Sequence, residues 1–436
     1  MLRRAWPLLA DSPMAIITAA VRRYNPFHAH HPHSSNMVSP TPLKRVLGTT
    51  RITLYGIGTI IGAGIYVLLG EVVAASGSFS ALSFLFAAVI VSFSAYSYAH
   101  LSRQFPVSAG EAVYVQEAFK LPALSSTVGW LIVFAGTVSA ATIANGFTGY
   151  FRLFAHWPDA LIILLLVSLL TSIAAWGVSI SVSVAVGTAL LEFFGLILVI
   201  YAGGEKIPTL LDDPSIYLLP NSASAWAGIG TGAFIAFYAF IGFEDMVNMA
   251  EEVKDPERAL PRGIFIALTV STVLYILVAL TALAALPVDE LSGAEAPLAM
   301  IIERNTNIPI WIIGSIGMIA VVNGALLQII MASRMLYGMG KRGLAPTILS
   351  SVHDGTRTPL LATLLIGLLV LVFALALPIN TLAQLTSGLI LLVFTLVNLA
   401  LFVINQRAGT PGLWPRLIPL TGTFLCASFV ALHLLT

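Results

Sequence analysis

Two short stretches carry most of the chemistry this sequence can offer, GIGTIIGAGIY at residues 56 to 66 and GAFIAFYAFIGFE at 232 to 244. Both lie in apolar segments long enough to cross a bilayer, where an unpaired amide or carbonyl costs several kcal/mol. Glycine at this density therefore points to a backbone that opens. Gly56, Gly58, Gly62 and Gly64 fall within nine residues. Small residues at such spacing also serve close helix packing, which suffices for Gly56 and Gly58. Gly62-Ala63-Gly64 is dense enough to favour an unwound turn. An opened helix presents amide donors and carbonyl acceptors, suited to the carboxylate and ammonium of an amino acid.

Acids in apolar surroundings are the second signal. Glu244 and Asp245 end the second stretch, and a charge at mid-bilayer costs at least ~2.5 kcal/mol on insertion scales. One or both must find water, a partner or a proton. Glu192, in ALLEFFGLILVIYAG, is distant from either water boundary. Three roles are open to it: a proton carrier, a structural hydrogen bond or a substrate contact. Thr137 and Asn323 are neutral polar residues in apolar segments, each also suited to an interhelical hydrogen bond. No metal or cofactor motif is present: His100, His156, His353 and His433 are scattered, and no GxxxxGK[ST] phosphate loop occurs. The HAHHPH cluster near the amino terminus could hold a metal only weakly.

The elements that must position these groups follow from composition. Hydrophobic residues make up 58% and charged residues 9% of the 436, against about 45–50% and about 25% for soluble domains. That balance describes a polytopic membrane protein. Net charge of +1 argues against nucleic acid as a partner, and a single cysteine, Cys426, excludes internal disulfides. Apolar segments near the ~20 residues that span a bilayer recur at about 52–75, 79–100, 126–150, 160–176, 180–202, 225–248, 263–286, 308–334, 359–377, 381–404 and 417–435. This predicts about eleven transmembrane helices, the fourth and fifth parted only by a WGVS turn. With the amino terminus inside, 18 of the 21 Lys and Arg fall in inner segments, leaving Arg152, Lys206 and Arg304 outside. The positive-inside rule thus sets the orientation. Residues 1–45 read as a mobile cytoplasmic tail, with Met37 an alternative start.

The four motifs GIGTIIGAGIYVLLG, RQFPVSAGEAVYVQEAF, FYAFIGFEDMVNMAEEVKDPERALPRGI and SRMLYGMGKRGLAP together resemble the amino acid, polyamine and organocation (APC) transporter superfamily. They occur in family order across most of residues 45 to 405. The resemblance implies the leucine-transporter fold: a 5+5 inverted repeat, residues 46–202 and 225–405, with spans 1 and 6 discontinuous around a site at mid-membrane. Residues 203–224 would then be an extracellular loop, and 406–436 a cytoplasmic loop and span 11. It further implies that the backbone of Ile60, Gly62, Ala63 and Gly64 receives the substrate's carboxylate and ammonium. In span 6 the equivalent break is Ala239 to Gly242, with the carbonyls of Tyr238 and Ile241 facing the ammonium. Tyr238, Phe240 and Phe243 become candidates for the pocket wall and gates, and Glu244 for a gate or proton-sensing position. Thr137 and Asn323 fall near pocket-lining positions of relatives. Arg103, Glu111 and Arg334 would belong to the inner gate or its ion pairs.

Two features depart from the family pattern. Many members have twelve spans, whereas this chain stops inside or just after an eleventh. Some proton-coupled relatives carry a lysine near the place of Glu192. The expected function is a secondary active transporter in the cell membrane that moves amino acids by alternating access, with a proton as coupling ion. An amino acid/polyamine exchanger without net proton coupling and, in a different class, a channel are the alternatives. Substrate and lipid bilayer are the expected partners, with the protein a monomer or homodimer. An enzyme would need a cluster of nucleophile, His or metal ligands that the sequence lacks.

Overall fold

A computed structural model describes residues 43, 45–151, 155, 157–176, 178–212, 220–292, 294 and 297–435. The amino-terminal tail, with its HAHHPH cluster and Met37, lies outside the described residues apart from its last positions. The helices are α1 (Thr49–Ser76), α2 (Ser80–Gln104), α3 (Gly110–Phe119), α4 (Pro122–Phe151), α5 (Asp159–Trp176) and α6 (Val178–Gly203). They continue as α7 (Ala223–Ala239), α8 (Pro256–Ala285), α9 (Ile310–Lys341), α10 (Leu360–Ala376), α11 (Ile379–Arg407) and α12 (Trp414–Leu435). Apart from the ten-residue α3, each overlaps one of the expected spans; Gly177 of the WGVS turn expected between α5 and α6 lies outside the described residues. Among the described residues, eight helical stretches are long and apolar enough to cross a membrane. Helices prevail because an α-helix satisfies its own backbone, the condition hydrocarbon imposes.

The local sequence sets where these helices begin. Ser222 accepts a hydrogen bond from the Ala225 amide at 3.2 Å and caps α7, satisfying one of the donors a helix start leaves open. Pro309, Pro359 and Pro378 stand immediately before α9, α10 and α11, where the missing N–H of proline is no loss.

Both expected breaks are present. In α1 the helix is interrupted at Gly62, whose φ of −31° and ψ of −150° are not helical. α7 ends at Ala239, the chain turns through Phe240 to Gly242, and it resumes as 3₁₀ turns over Phe243–Glu252. Gly242 has φ of +130°, a conformation that L side chains rarely adopt. A Cβ there would also come within 2.5 Å of the Thr59 carbonyl oxygen. Gly64 matters for approach rather than for φ, since a Cβ on it would lie 2.7 Å from Ala239 Cα. The two interrupted helices therefore touch backbone to backbone at their breaks.

The helix ends that carry the basic loops are held by polar contacts. Leu47 forms a parallel bridge with Val253, in which Val46 and Leu47 donate to the Glu252 carbonyl and Lys254 donates back to Leu47. Arg334 of α9 donates through Nε to Glu252 at 3.1 Å, both side chains being fully buried. At the margin of the bundle, Ser97 donates to Asn398 at 2.6 Å and Asn398 to Ser94 at 2.9 Å. Cys426 of α12 sits 3.6 Å from the Ser94 hydroxyl. This small network joins α2, α11 and α12.

Candidate functional site

A cavity lies where the breaks face each other. Its walls are Thr59, Ile60, Gly62 and Gly64 from α1, Ser139 and Ile143 from α4, Tyr238 and Ala239 from α7, Ile241 from the turn, and Gly324, Leu327 and Gln328 from α9. Gly62 faces Gly324, the backbone of which would lie 3.8 Å from an added Cβ, so neither helix places a side chain between the two. The geometry leaves opened backbone at the wall, with hydroxyl and amide groups from α4 and α9 opposite.

Six of the expected substrate-site residues line this cavity: Ile60, Gly62, Gly64, Tyr238, Ala239 and Ile241. Ala63 shares the broken turn. Phe240, Gly242, Phe243, Thr137 and Asn323 are not among the lining residues. Phe240 is buried against Tyr275, with ring centroids 5.0 Å apart, and Phe243 against Tyr98 and Phe394 at 5.4 Å each. The Thr137 hydroxyl donates within its own helix to the Val133 carbonyl at 2.6 Å. Glu244 accepts from the Gly242 amide at 2.8 Å through one oxygen, while the other has no partner. Its carboxyl thus caps the restart of the chain after the break, where a helix N-terminus favours negative charge.

Three residues central to the site had no local pattern to reveal them. The Tyr275 hydroxyl on α8 donates to the Ile60 carbonyl at 2.5 Å and to the Ala239 carbonyl at 3.0 Å. One side chain thereby bonds a carbonyl at each break. Ser139 and Gln328 supply the polar part of the wall, and Gln328 Nε2 also donates to Asp245 Oδ2 at 2.8 Å.

Glu192 is fully buried, and neither carboxyl oxygen has a hydrogen-bond partner. Asn323 lies beside that carboxyl, yet its amide nitrogen and oxygen also make no bond of acceptable geometry. The Tyr66 hydroxyl, on the far side of the α1 break, donates to the Glu192 backbone carbonyl at 2.7 Å. The buried acid thus lies with Asn323 of α9 beside its carboxyl and Tyr66 of α1 bonded to its backbone.

Of the residues expected at the inner gate, Arg334 is in the ion pair with Glu252, and Glu111 receives Asn248 Nδ2 on both carboxyl oxygens at 3.3 and 3.1 Å. Arg103 is exposed. Among the described residues no group of three or more His, Cys, Asp or Glu is placed to hold a metal ion.

Apolar helices of membrane-spanning length, two of them interrupted face to face around a cavity, make the architecture of a membrane transport protein. The sequence model of the amino acid permease family matches residues 47–436, and the chain belongs to that family, one of permeases rather than enzymes. It is 28% identical over 395 residues to the branched-chain amino acid permease BcaP of Bacillus subtilis (strain 168), covering 84% of this chain and 82% of that protein. It is 27% identical over 405 residues to the mitochondrial cationic amino acid transporter 3 of Arabidopsis thaliana, covering 86% of this chain but 64% of that longer protein. In fold it is similar to a Na+-coupled sialic acid symporter solved in a substrate-bound outward-open state, with a TM-score of 0.58, 14% identity and 90% of each chain covered. That likeness places the chain in the leucine-transporter fold class.

Proposed function

We propose that this protein is a secondary active transporter that moves amino acids by alternating access and couples the movement to a proton. The carrying observation is the cavity between the breaks, walled by Ile60, Gly62 and Gly64 of one interrupted helix and by Tyr238, Ala239 and Ile241 of the other, so that main-chain groups at two helix breaks border it. Such groups recognise the carboxylate and ammonium common to all amino acids. The two sequence relatives, a branched-chain amino acid permease and a cationic amino acid transporter, support amino acids as the cargo class. The protein is read as a multi-pass component of the cell membrane with its amino terminus in the cytoplasm, an orientation supported by the basic loops.

Glu192 is the proposed proton carrier. A buried carboxyl with two unpartnered oxygens is stable in the membrane only when neutral or when water reaches it, so its proton can be exchanged when the bundle opens. Reconstituted protein carrying Glu192→Gln is expected to lose uptake driven by a pH gradient while retaining exchange of internal for external substrate. Accumulation driven by the gradient at the wild-type rate would overturn the coupling assignment. Loss of both activities in a folded variant would instead make Glu192 part of the substrate path.

A further inference from the structure

The twelve residues around the cavity include no Asp, Glu, Lys, Arg or His. Asp245, buried to 1% exposure, is not in the wall itself but is hydrogen-bonded to one of its residues, Gln328. Gln328 is shared between the two environments. Part of it belongs to the cavity wall, its Nε2 donates to Asp245 Oδ2 at 2.8 Å, and its Oε1 lies 3.1 Å from the place a Cβ on Gly136 would take. The bond to Asp245 holds the amide, and Gly136 of α4, which carries no side chain, leaves the space that its Oε1 occupies.

We propose that Gln328 is the specificity-determining residue of the site and acts as a screen: it occupies the Asp245 carboxyl and so restricts the substrate to amino acids with neutral side chains. A cationic side chain entering this cavity would leave water and meet only hydroxyl and amide dipoles, and an unpaired buried charge is strongly disfavoured. A neutral side chain meets Ile143, Leu327 and the two facing glycines, which fit apolar atoms, with Ser139 and Gln328 able to serve a hydroxyl or amide. Asp245 is then a latent cation site, one side chain away from the substrate. The proposal rests on the amino acid transport reading and names which members of that class are carried.

The screen predicts a gain of binding on truncation, which a merely damaged protein would not show. Purified wild-type protein, Gln328→Ala and the double variant Gln328→Ala/Asp245→Asn would be compared by thermal shift and by competition against a bound neutral amino acid. The probes are leucine, serine, glutamine, lysine and ornithine. Wild type is expected to bind neutral probes and to reject lysine and ornithine. Gln328→Ala is expected to bind lysine or ornithine roughly tenfold or more tightly than wild type does, the scale of one charge-assisted bond. The double variant is expected to lose that gain. Lysine binding by wild type as tight as leucine binding would overturn the proposal, as would a Gln328→Ala protein that binds leucine yet still rejects both cations. Wild-type protein that binds none of the five probes would overturn the transport reading itself, and the screen with it.

Discussion

A tyrosine hydroxyl has one proton, and Tyr275 spends it between two carbonyls that belong to different helices. Those carbonyls, of Ile60 and Ala239, belong to the two breaks. In hydrocarbon such an acceptor must be satisfied by a neighbour. Tyr275→Phe keeps the ring packed against Phe240 and removes only the donor, so its effect isolates the bond. Unsatisfied buried acceptors cost about 1–3 kcal/mol, and the melting temperature in detergent is expected to fall accordingly. Initial uptake rate should fall further than stability alone explains, because the relative placement of the two breaks is lost. A variant with unchanged melting and uptake would show that the hydroxyl contributes to neither. At this scale the sequence was informative about glycine and silent about Tyr275, Ser139 and Gln328. Glycine in an apolar span is conspicuous because nothing but backbone geometry recommends it. A tyrosine or glutamine in a helix declares itself only through partners on other helices, at sequence separations such as the 215 residues between Tyr275 and Ile60. The same reason explains Thr137: a threonine in a helix can bond its own i−4 carbonyl, and this one does.

Whole elements meet at the ends that carry the basic loops. The Arg334 guanidinium on α9 and the Glu252 carboxyl after α7 form an ion pair with no solvent exposure on either side chain. Arg334 Nη2 and Glu252 Oε2 find no hydrogen-bond partner. Taking two charges out of water offsets much of their attraction, whereas removing one partner strands the other. Arg334→Leu is therefore expected to destabilise the protein by about 3–5 kcal/mol, and the double variant Arg334→Leu/Glu252→Leu to recover most of that loss. Thermal unfolding of the two variants beside wild type tests it. A double variant no more stable than the single one would mean that the pair sets geometry rather than merely balancing charge. The span boundaries and their order were legible in the sequence because hydropathy acts locally. The partner of Arg334 was not, since any of several acids after α7 could have answered it.

Across the whole molecule, acidity is a further determinant of stability. Glu111, at the start of α3 and outside the spans, is fully buried, and burial pushes its carboxyl from the ordinary 4.5 up to about 8, against the lowering influence of its backbone and Asn248 hydrogen bonds. The folded protein thus holds a proton there that the unfolded chain releases. The associated stabilisation is complete below pH 4.5, declines as pH rises, and is gone above about 8. Glu111→Gln, neutral at every pH, is expected to flatten the fall in melting temperature over that window. An equally steep fall in the variant would assign the pH response to other groups. Fold class and the place of the site were readable from the glycine breaks and the four motifs, because both follow from constraints the bilayer imposes on every residue. The composition of the cavity wall required knowing which helix faces which.

The network that joins α12 to the bundle has a consequence for chemical labelling. Cys426 is the sole thiol of the chain; it has no solvent exposure and is engaged by Ser94 and Asn398. A membrane-permeant maleimide should therefore leave the folded protein unmodified, and any alkylation reports detachment of α12. Cysteines introduced at the breaks can then be read against a silent background without first removing the native one.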